Sequence, residues 1–258
     1  MNERAIGFIG GGRITRIFLA GWKRANTLPA SVVVSDCNGE SLTKIRTQFP
    51  SVQTTADSRA AASQDVVFMA VHPPVMAEVA AGIKGSLKPG AVVVSLAPKF
   101  TVAKLTELLG GFARLARVIP NAPSVVNFGF NPVAFGSALT AADKGEVTAL
   151  LAPLGECPEV AEGKLEAYAI LTAMGPTYLW YQLYQLTDLA LSFGLTPEAV
   201  QPALRAMLEG TVRTMEAADL APEAVLDLIP VRPLAEIESA MREAYVTNLS
   251  DLYRRLKA

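Results

Sequence analysis

Three consecutive glycines, Gly10, Gly11 and Gly12, follow the apolar run Ala5-Ile6-Gly7-Phe8-Ile9 and lead into Arg13, Ile14 and Thr15, which can continue as a helix. A buried strand that turns sharply into a helix is the arrangement that receives a dinucleotide pyrophosphate. There Gly10 would supply the tight turn and Gly12 would let the backbone approach the phosphates, while the amides and partial positive charge of the helix start face the anion. Thr15 takes the third, usually small, position, where its bulk either spaces helix from strand or turns a hydroxyl to the phosphate. An ordinary glycine turn has the same pattern, so the surroundings must decide.

Asp36 lies 21 residues beyond Thr15, at the end of the β-branched run Ser31-Val32-Val33-Val34-Ser35. An acid there accepts hydrogen bonds from an adenosine ribose. The alternative is a turn or capping role, since Cys37-Asn38-Gly39 follow it. A ribose role would repel a 2′-phosphate and favour NAD over NADP, with Arg13, Lys44 and Arg46 as phosphate partners elsewhere. Cys37 and Cys157 lie far apart without metal-ligand spacing, so neither a metal site nor a disulfide is expected, and a reducing cytoplasm fits them.

Those residues need elements to hold them. Three further apolar runs, Asp65 to Val71, Ala91 to Leu96 and Arg114 to Ile119, alternate with helix-length segments such as Ile14 to Ala25. The first ends at His72-Pro73-Pro74 and the third at Pro120-Asn121-Ala122-Pro123. This alternation predicts an α/β domain with a Rossmann-type, mostly parallel sheet, whose ligands lie beyond the strand carboxyl ends. After about residue 156 the strand signal fades, and helices are predicted over Glu162 to Met174, Pro176 to Phe193, Pro197 to Ala217 and Leu234 to Leu256. Thr196-Pro197-Glu198 reads as the start of the third, and Pro202 is expected to perturb it. The expected division is a dinucleotide-binding domain at 1–157 and a helical dimerisation and substrate domain at 158–258.

The 258 residues, 51% of them hydrophobic, suffice for a buried core, and a net charge of −1 argues against a nucleic-acid partner. The start of the chain does not read as a signal peptide. Leu165 to Phe193 is unusually apolar, but Glu166, Gln182, Gln185 and Asp188 interrupt it and Gly175-Pro176 breaks it, which favours buried or interface helices over a membrane span. Tyr178, Trp180, Tyr181 and Tyr184 close together predict a homodimer through the C-terminal helices.

Four stretches together resemble the pyrroline-5-carboxylate reductase family. They are Ile6 to Gly12, Ala70-Val71-His72-Pro73, Arg117 to Pro123 and Gly175-Pro176-Thr177-Tyr178, in order along nearly the whole chain. The resemblance implies a Rossmann domain, a helical dimerisation domain, and reduction of a cyclic imine to proline with NADPH or NADH. It implies that Gly10, Gly11, Gly12, Arg13, Ile14, Asp36, Ala70, Val71, His72, Pro73 and Asn121 serve the cofactor. His72, the only histidine, is then a packing residue beside the nicotinamide or ribose, with general acid as the alternative. Thr211 and Thr172 are the candidate catalytic residues, and Gly175 and Arg232 the candidate substrate contacts.

Departures from the family pattern are clear. His72 stands where the family commonly has Lys, Pro98-Lys99 where it has a small Ala-Gly pair, and Asp36-Cys37 where many relatives carry an Asn-Arg-type pair suited to NADP. Thr172-Ala173-Met174 replaces a Ser-Gly-Ser run before Gly175-Pro176. Ile229 to Glu236 stands where the family has a Ser-Pro-Gly-Gly-Thr-Thr loop that holds the substrate carboxylate. Three functions stay open: reduction of pyrroline-5-carboxylate, a related reductase acting on another imine, keto acid or deazaflavin, and a non-catalytic dinucleotide-binding dimer. An iminium carries its own activating charge, so hydride transfer to it requires no strong protein acid.

Overall fold

A computed structural model describes residues 4–217 and 219–257. Its centre is a sheet of seven strands: β1 (Ile6–Ile9), β2 (Val32–Ser35), β3 (Gln53–Thr55), β4 (Val66–Met69), β5 (Val92–Ser95), β6 (Leu115–Val118) and β8 (Val133–Phe135), in the order β3-β2-β1-β4-β5-β6-β8. All neighbours pair in parallel except β6 and β8. Ile6 faces Val32 on one side and Val66 on the other, so the strand order reverses between β1 and β4. β7 (Gly129–Phe130) and β9 (Gly155–Glu156) form a separate two-stranded ladder.

The strands are short and apolar because both faces are covered. β1, β2, β4 and β5 are buried at every position, as expected of parallel strands sandwiched between helices. On one face α1 (Arg13–Arg24) presses Phe18 and Trp22 onto Phe8 and Phe68, whose rings stack with centroids 4.8 Å apart. The Trp22 indole N–H donates to the Leu150 carbonyl of α6 (Ala141–Leu151) at 2.7 Å, so its one polar atom is satisfied. On the other face Met69, Met76, Ile83, Leu105 and Leu115 pack between the sheet and helices α4 (Met76–Ile83) and α5 (Val102–Leu108). Helices α2 (Gly39–Gln48) and α3 (Ser58–Ala62) complete the crossovers among the first four strands.

The strands predicted over residues 31–35, 65–71, 91–96 and 114–119 form, each trimmed at its ends. β3, β8 and the small ladder were not foreseen, nor was α10 (Pro222–Asp227). β3 is three polar residues at the sheet edge, too short to show a period. The predicted helix over 162–174 is instead a 3₁₀ turn at Glu162–Lys164, α7 (Leu165–Tyr168) and a π turn at Ala169–Ala173. The segment expected to be one helix over 234–256 likewise contains a π turn, Tyr245–Leu249, between α11 (Ala235–Ala244) and α12 (Ser250–Lys257). α8 (Gly175–Ser192) and α9 (Pro197–Ala217) match expectation, and α9 runs through Pro202. Pro202 lies early in that helix, where it forgoes one backbone bond without ending it.

The chain divides into two compact units. One runs to Met174 and takes in the chain again from Tyr253; the other is Gly175–Leu252. No helix among the described residues is long and apolar enough to cross a membrane.

Candidate dinucleotide site

At the carboxyl end of β1 the chain turns through Gly10, whose φ of +104° lies in the left-handed region. A Cβ on Gly10 would sit 2.5 Å from the Ala70 carbonyl oxygen, so both conformation and space demand glycine. The Gly10 N–H donates to Ser35 and the Ala70 N–H to Ile9, each at 2.8 Å, which ties the turn to the ends of β2 and β4. Gly12 caps α1 without a side chain, and nothing lies within 4 Å of where its Cβ would be. The helix start is thus open on the side an anion would approach, with its first amides uncapped. Arg13 is exposed beside it and Ile14 is partly buried against the core.

Thr15 settles one of the sequence alternatives. It is wholly buried, and its hydroxyl donates to the Gly10 carbonyl at 2.5 Å, so it braces the turn from inside rather than facing a phosphate. Asp36, half-buried at the end of β2, does not cap the next helix; Asn38 does, accepting from Glu40 and Ser41. The Asp36 carboxylate instead accepts the Gly11 N–H at 2.7 Å through one oxygen and the Asn38 N–H at 2.7 Å through the other. Each oxygen retains a lone pair for a ribose hydroxyl.

The end of β4 carries Ala70, Val71, His72 and Pro73 past the same turn, with Val71 against Gly10. His72 is exposed and begins a 3₁₀ turn at Pro73–Val75 without a side-chain cap bond. Beyond β6, Asn121 is buried and bonded at both ends of its amide. Its oxygen accepts the Phe130 N–H at 3.2 Å, and its nitrogen donates to the Thr172 carbonyl at 3.3 Å. Asn121 therefore shapes the end of β6 by joining it to the π turn. Asn131, which the sequence reading passed over, is wholly buried beside it and accepts the Asn121 N–H and the Ser124 hydroxyl.

The β5 end holds a second group that the sequence reading missed. Arg117 on β6 is 1% exposed and donates to Glu166 at 2.6 Å and to Glu162 at 3.1 Å. Those carboxylates also accept backbone N–H groups of the β5–α5 loop, Glu166 from Lys99 at 3.3 Å and Glu162 from Val102 at 2.6 Å. Burial pushes the Glu166 carboxyl up, but the hydrogen bond and charge of Arg117 outweigh it and hold the group below the usual carboxylate range. Lys99 sits in that loop at φ +79°, a conformation costing a lysine about 1–2 kcal/mol. Glu166 was visible only as an interruption of an apolar run, and Arg117 only as part of a strand and of the stretch to Pro123, with no partner suggested for it.

The remaining candidates lie in the π turn and the second unit. The Thr172 hydroxyl donates to the Tyr168 carbonyl at 2.9 Å. Gly175 opens α8. Thr211 is exposed on α9 and donates to the Met207 carbonyl at 2.8 Å, while Arg232 forms an exposed ion pair with Glu238. Tyr178 packs edge-on to Tyr245 at 5.8 Å, and burial raises its phenol above the ordinary range. Both cysteines are free thiols; burial pushes Cys157 up to about 11.

A glycine turn beneath an open helix start, an acid at the end of the neighbouring strand and a strand-order reversal beside both define a dinucleotide-binding protein of Rossmann type. Residues 5–99 match the family described as NADP oxidoreductase, coenzyme F420-dependent. The sequence is 30% identical to the pyrroline-5-carboxylate reductase of Corynebacterium melassecola over 82% of this chain and 79% of that protein. It is 26% identical to the Escherichia coli (strain K12) enzyme over 88% and 85%. The chain belongs to the pyrroline-5-carboxylate reductase family. The Coxiella burnetii reductase structure, 26% identical, superposes with a TM-score of 0.74 over 99% of this chain and 98% of that one. The Plasmodium falciparum reductase with NADP bound, 20% identical, reaches 0.82 over 100% and 98%, which shows the shared fold.

Proposed function

We propose that this chain is a nicotinamide-dependent reductase that transfers hydride to the C=N carbon of pyrroline-5-carboxylate, forming proline. The observation that carries the reading is the Gly10–Gly12 turn with Asp36 bound to it, in a chain of this family. NADP or NAD fits the residues: the open face at Gly12 would be filled by any side chain, and the α1 amides behind it suit a pyrophosphate. When bound, the dihydronicotinamide supplies the hydride.

The protein's part is to hold and orient. Asp36 accepts the ribose hydroxyls, and its negative charge disfavours a 2′-phosphate, so NADH is the better partner. Ala70, Val71, His72 and Pro73 border the crevice beyond β4, and Asn121 sets the loop beyond β6. Thr172 and Thr211 are the proposed catalytic hydroxyls, each with its proton already directed to a helix carbonyl and its oxygen free to accept. Gly175 and Arg232 are the proposed substrate contacts. Functionally, 1–157 forms the dinucleotide-binding domain and 158–258 the helical dimerisation and substrate domain. The homodimer reading is supported by α8, which has no buried residue and leaves Trp180, Tyr181 and Tyr184 exposed. A cytoplasmic setting suits the two free thiols.

A second reading, a related reductase with another imine, keto acid or deazaflavin, is favoured by the replacement at Ile229 to Glu236 and by the F420-dependent family matched over residues 5–99. Cofactor titration combined with turnover separates the readings. Nucleotide binding with proline formation supports the first, turnover on other substrates alone supports the second, and binding without turnover supports a non-catalytic dimer.

A further inference from the structure

Lys99 stands on a backbone conformation that lysine seldom adopts. The other non-glycine residues with positive φ among the described residues are Asn26, Asn127 and Asp219, types that tolerate it. The loop carrying Lys99 leaves the carboxyl end of β5 and enters α5 at Val102. It is clamped there by its N–H on Glu166 and by the Val102 N–H on Glu162, both carboxylates being held by the buried Arg117. A strained position that its surroundings hold so firmly points to a role for the side chain it presents. Lys99 is exposed, and its ammonium has no hydrogen-bond or ionic partner among the described residues.

Its place along the sheet says which anion it serves. The order β2-β1-β4-β5 puts three interstrand steps between Asp36 and the β5 end. At about 4.8 Å per step that is roughly 14 Å. A dinucleotide with its adenosine ribose at Asp36, laid across the β1–β4 reversal, brings its nicotinamide end to the β4–β5 side. A cation carried by the loop beyond the β5 end would therefore lie far from a 2′-phosphate and on the nicotinamide side of the crevice. Arg232, a proposed substrate contact, has its charge offset by Glu238, which leaves Lys99 as the uncompensated cation of the two. Resting on the reductase reading above, we propose that Lys99 binds the carboxylate of a small anionic imine substrate at the nicotinamide end of the crevice.

The test compares L-proline with L-prolinamide, which share a ring and differ in the carboxylate. Their affinities are measured by titration calorimetry on the full chain with oxidised nicotinamide dinucleotide present, for the wild type, Lys99→Met, Lys99→Arg and Lys99→Gly. Met keeps the backbone and the stem without the charge, and Gly removes the charge while relieving the positive φ, so the Gly variant is not exposed to backbone failure. The wild type is expected to prefer L-proline by about ten-fold or more, Met and Gly to reduce that preference to about two-fold or less, and Arg to retain most of it. A wild type that binds both probes equally, or a preference that survives in Lys99→Met and Lys99→Gly, overturns the assignment to Lys99 and leaves the reductase reading standing. A wild type that binds neither probe and reduces no pyrroline-5-carboxylate overturns both.

Discussion

In the first unit Phe8, Phe18, Trp22 and Phe68 are sealed between sheet and α1, none more than 1% exposed, whereas in the second Trp180, Tyr181 and Tyr184 on α8 are 45%, 63% and 71% exposed. The same kinds of side chain are core in one place and surface in the other. The sheet covers itself because each strand is flanked by crossover helices on both faces. A pair of long helices such as α8 and α9 buries only the strip between them, and the remaining apolar faces need another surface. The first unit thus holds the sealed aromatic core and the Gly10–Gly12 turn, and the second leaves its aromatic side chains on the surface, as the proposed dimer would require.

Substitutions on the two sides should behave differently. Phe68→Ala removes a fully buried ring and is expected to lower unfolding free energy by about 3–5 kcal/mol, at any protein concentration, in denaturant titrations. Tyr184→Glu on α8 should instead act through assembly. The wild type's unfolding midpoint should rise with protein concentration and its mass in analytical ultracentrifugation should be that of a dimer, both effects being lost in the variant. A wild-type monomer mass independent of concentration contradicts the dimer.

Glu166→Ala leaves the buried Arg117 with one half-buried partner, and the expected loss is about 3 kcal/mol. The pH dependence gives the same pair a second readout. The Glu166 carboxyl is depressed in the folded protein, so its contribution is complete above the unfolded value of about 4.3 and is lost as pH falls through the lower folded value. Asp65, lowered by the hydrogen bond from Lys88 and then by that from the Ala5 N–H, works in the same direction. Acid unfolding below about pH 4.3 should therefore be less steep in Glu166→Gln than in the wild type.

Gly12→Asp separates folding from binding within the first unit. Asp is the better helix N-cap, so stability should hold or gain a few tenths of a kcal/mol, while a carboxylate in the pyrophosphate's place should weaken nucleotide binding by about 100-fold or more. Loss of stability together with binding would show that Gly12 matters for the fold instead. The smallest effect is expected of Asp36→Ser, which should shift the ratio of kcat/KM for NADH over NADPH about ten-fold towards NADPH.

Much of the sheet unit was legible because its signals are local. Runs such as Val32 to Ser35 and Val92 to Ser95 announce buried strands, and three glycines between an apolar run and a helical segment announce the turn at Gly10. The Arg117 cluster was not, because its carboxylates lie 45 and 49 residues away and a lone arginine in a strand reads as a surface residue. The backbone angle of Lys99 was equally invisible, although the pair Pro98-Lys99 was marked as unusual. Asp36 could be read as ribose ligand or as a turn or cap residue; Asn38 takes the cap, and the Asn38 N–H that Asp36 accepts gives it the turn role beside the proposed ribose one. The edge strand β8, antiparallel to β6, was not foreseen, but the sheet it joins is mostly parallel as expected.

The most direct measurement is nucleotide oxidation and proline formation by the full-length chain supplied with pyrroline-5-carboxylate and NADH or NADPH. The expected result is stoichiometric loss of reduced nucleotide and gain of proline, faster with NADH and abolished in Gly12→Asp. Absence of binding by either nucleotide, or proline formation undiminished in Gly12→Asp, would contradict the assignment of the glycine turn as the cofactor site.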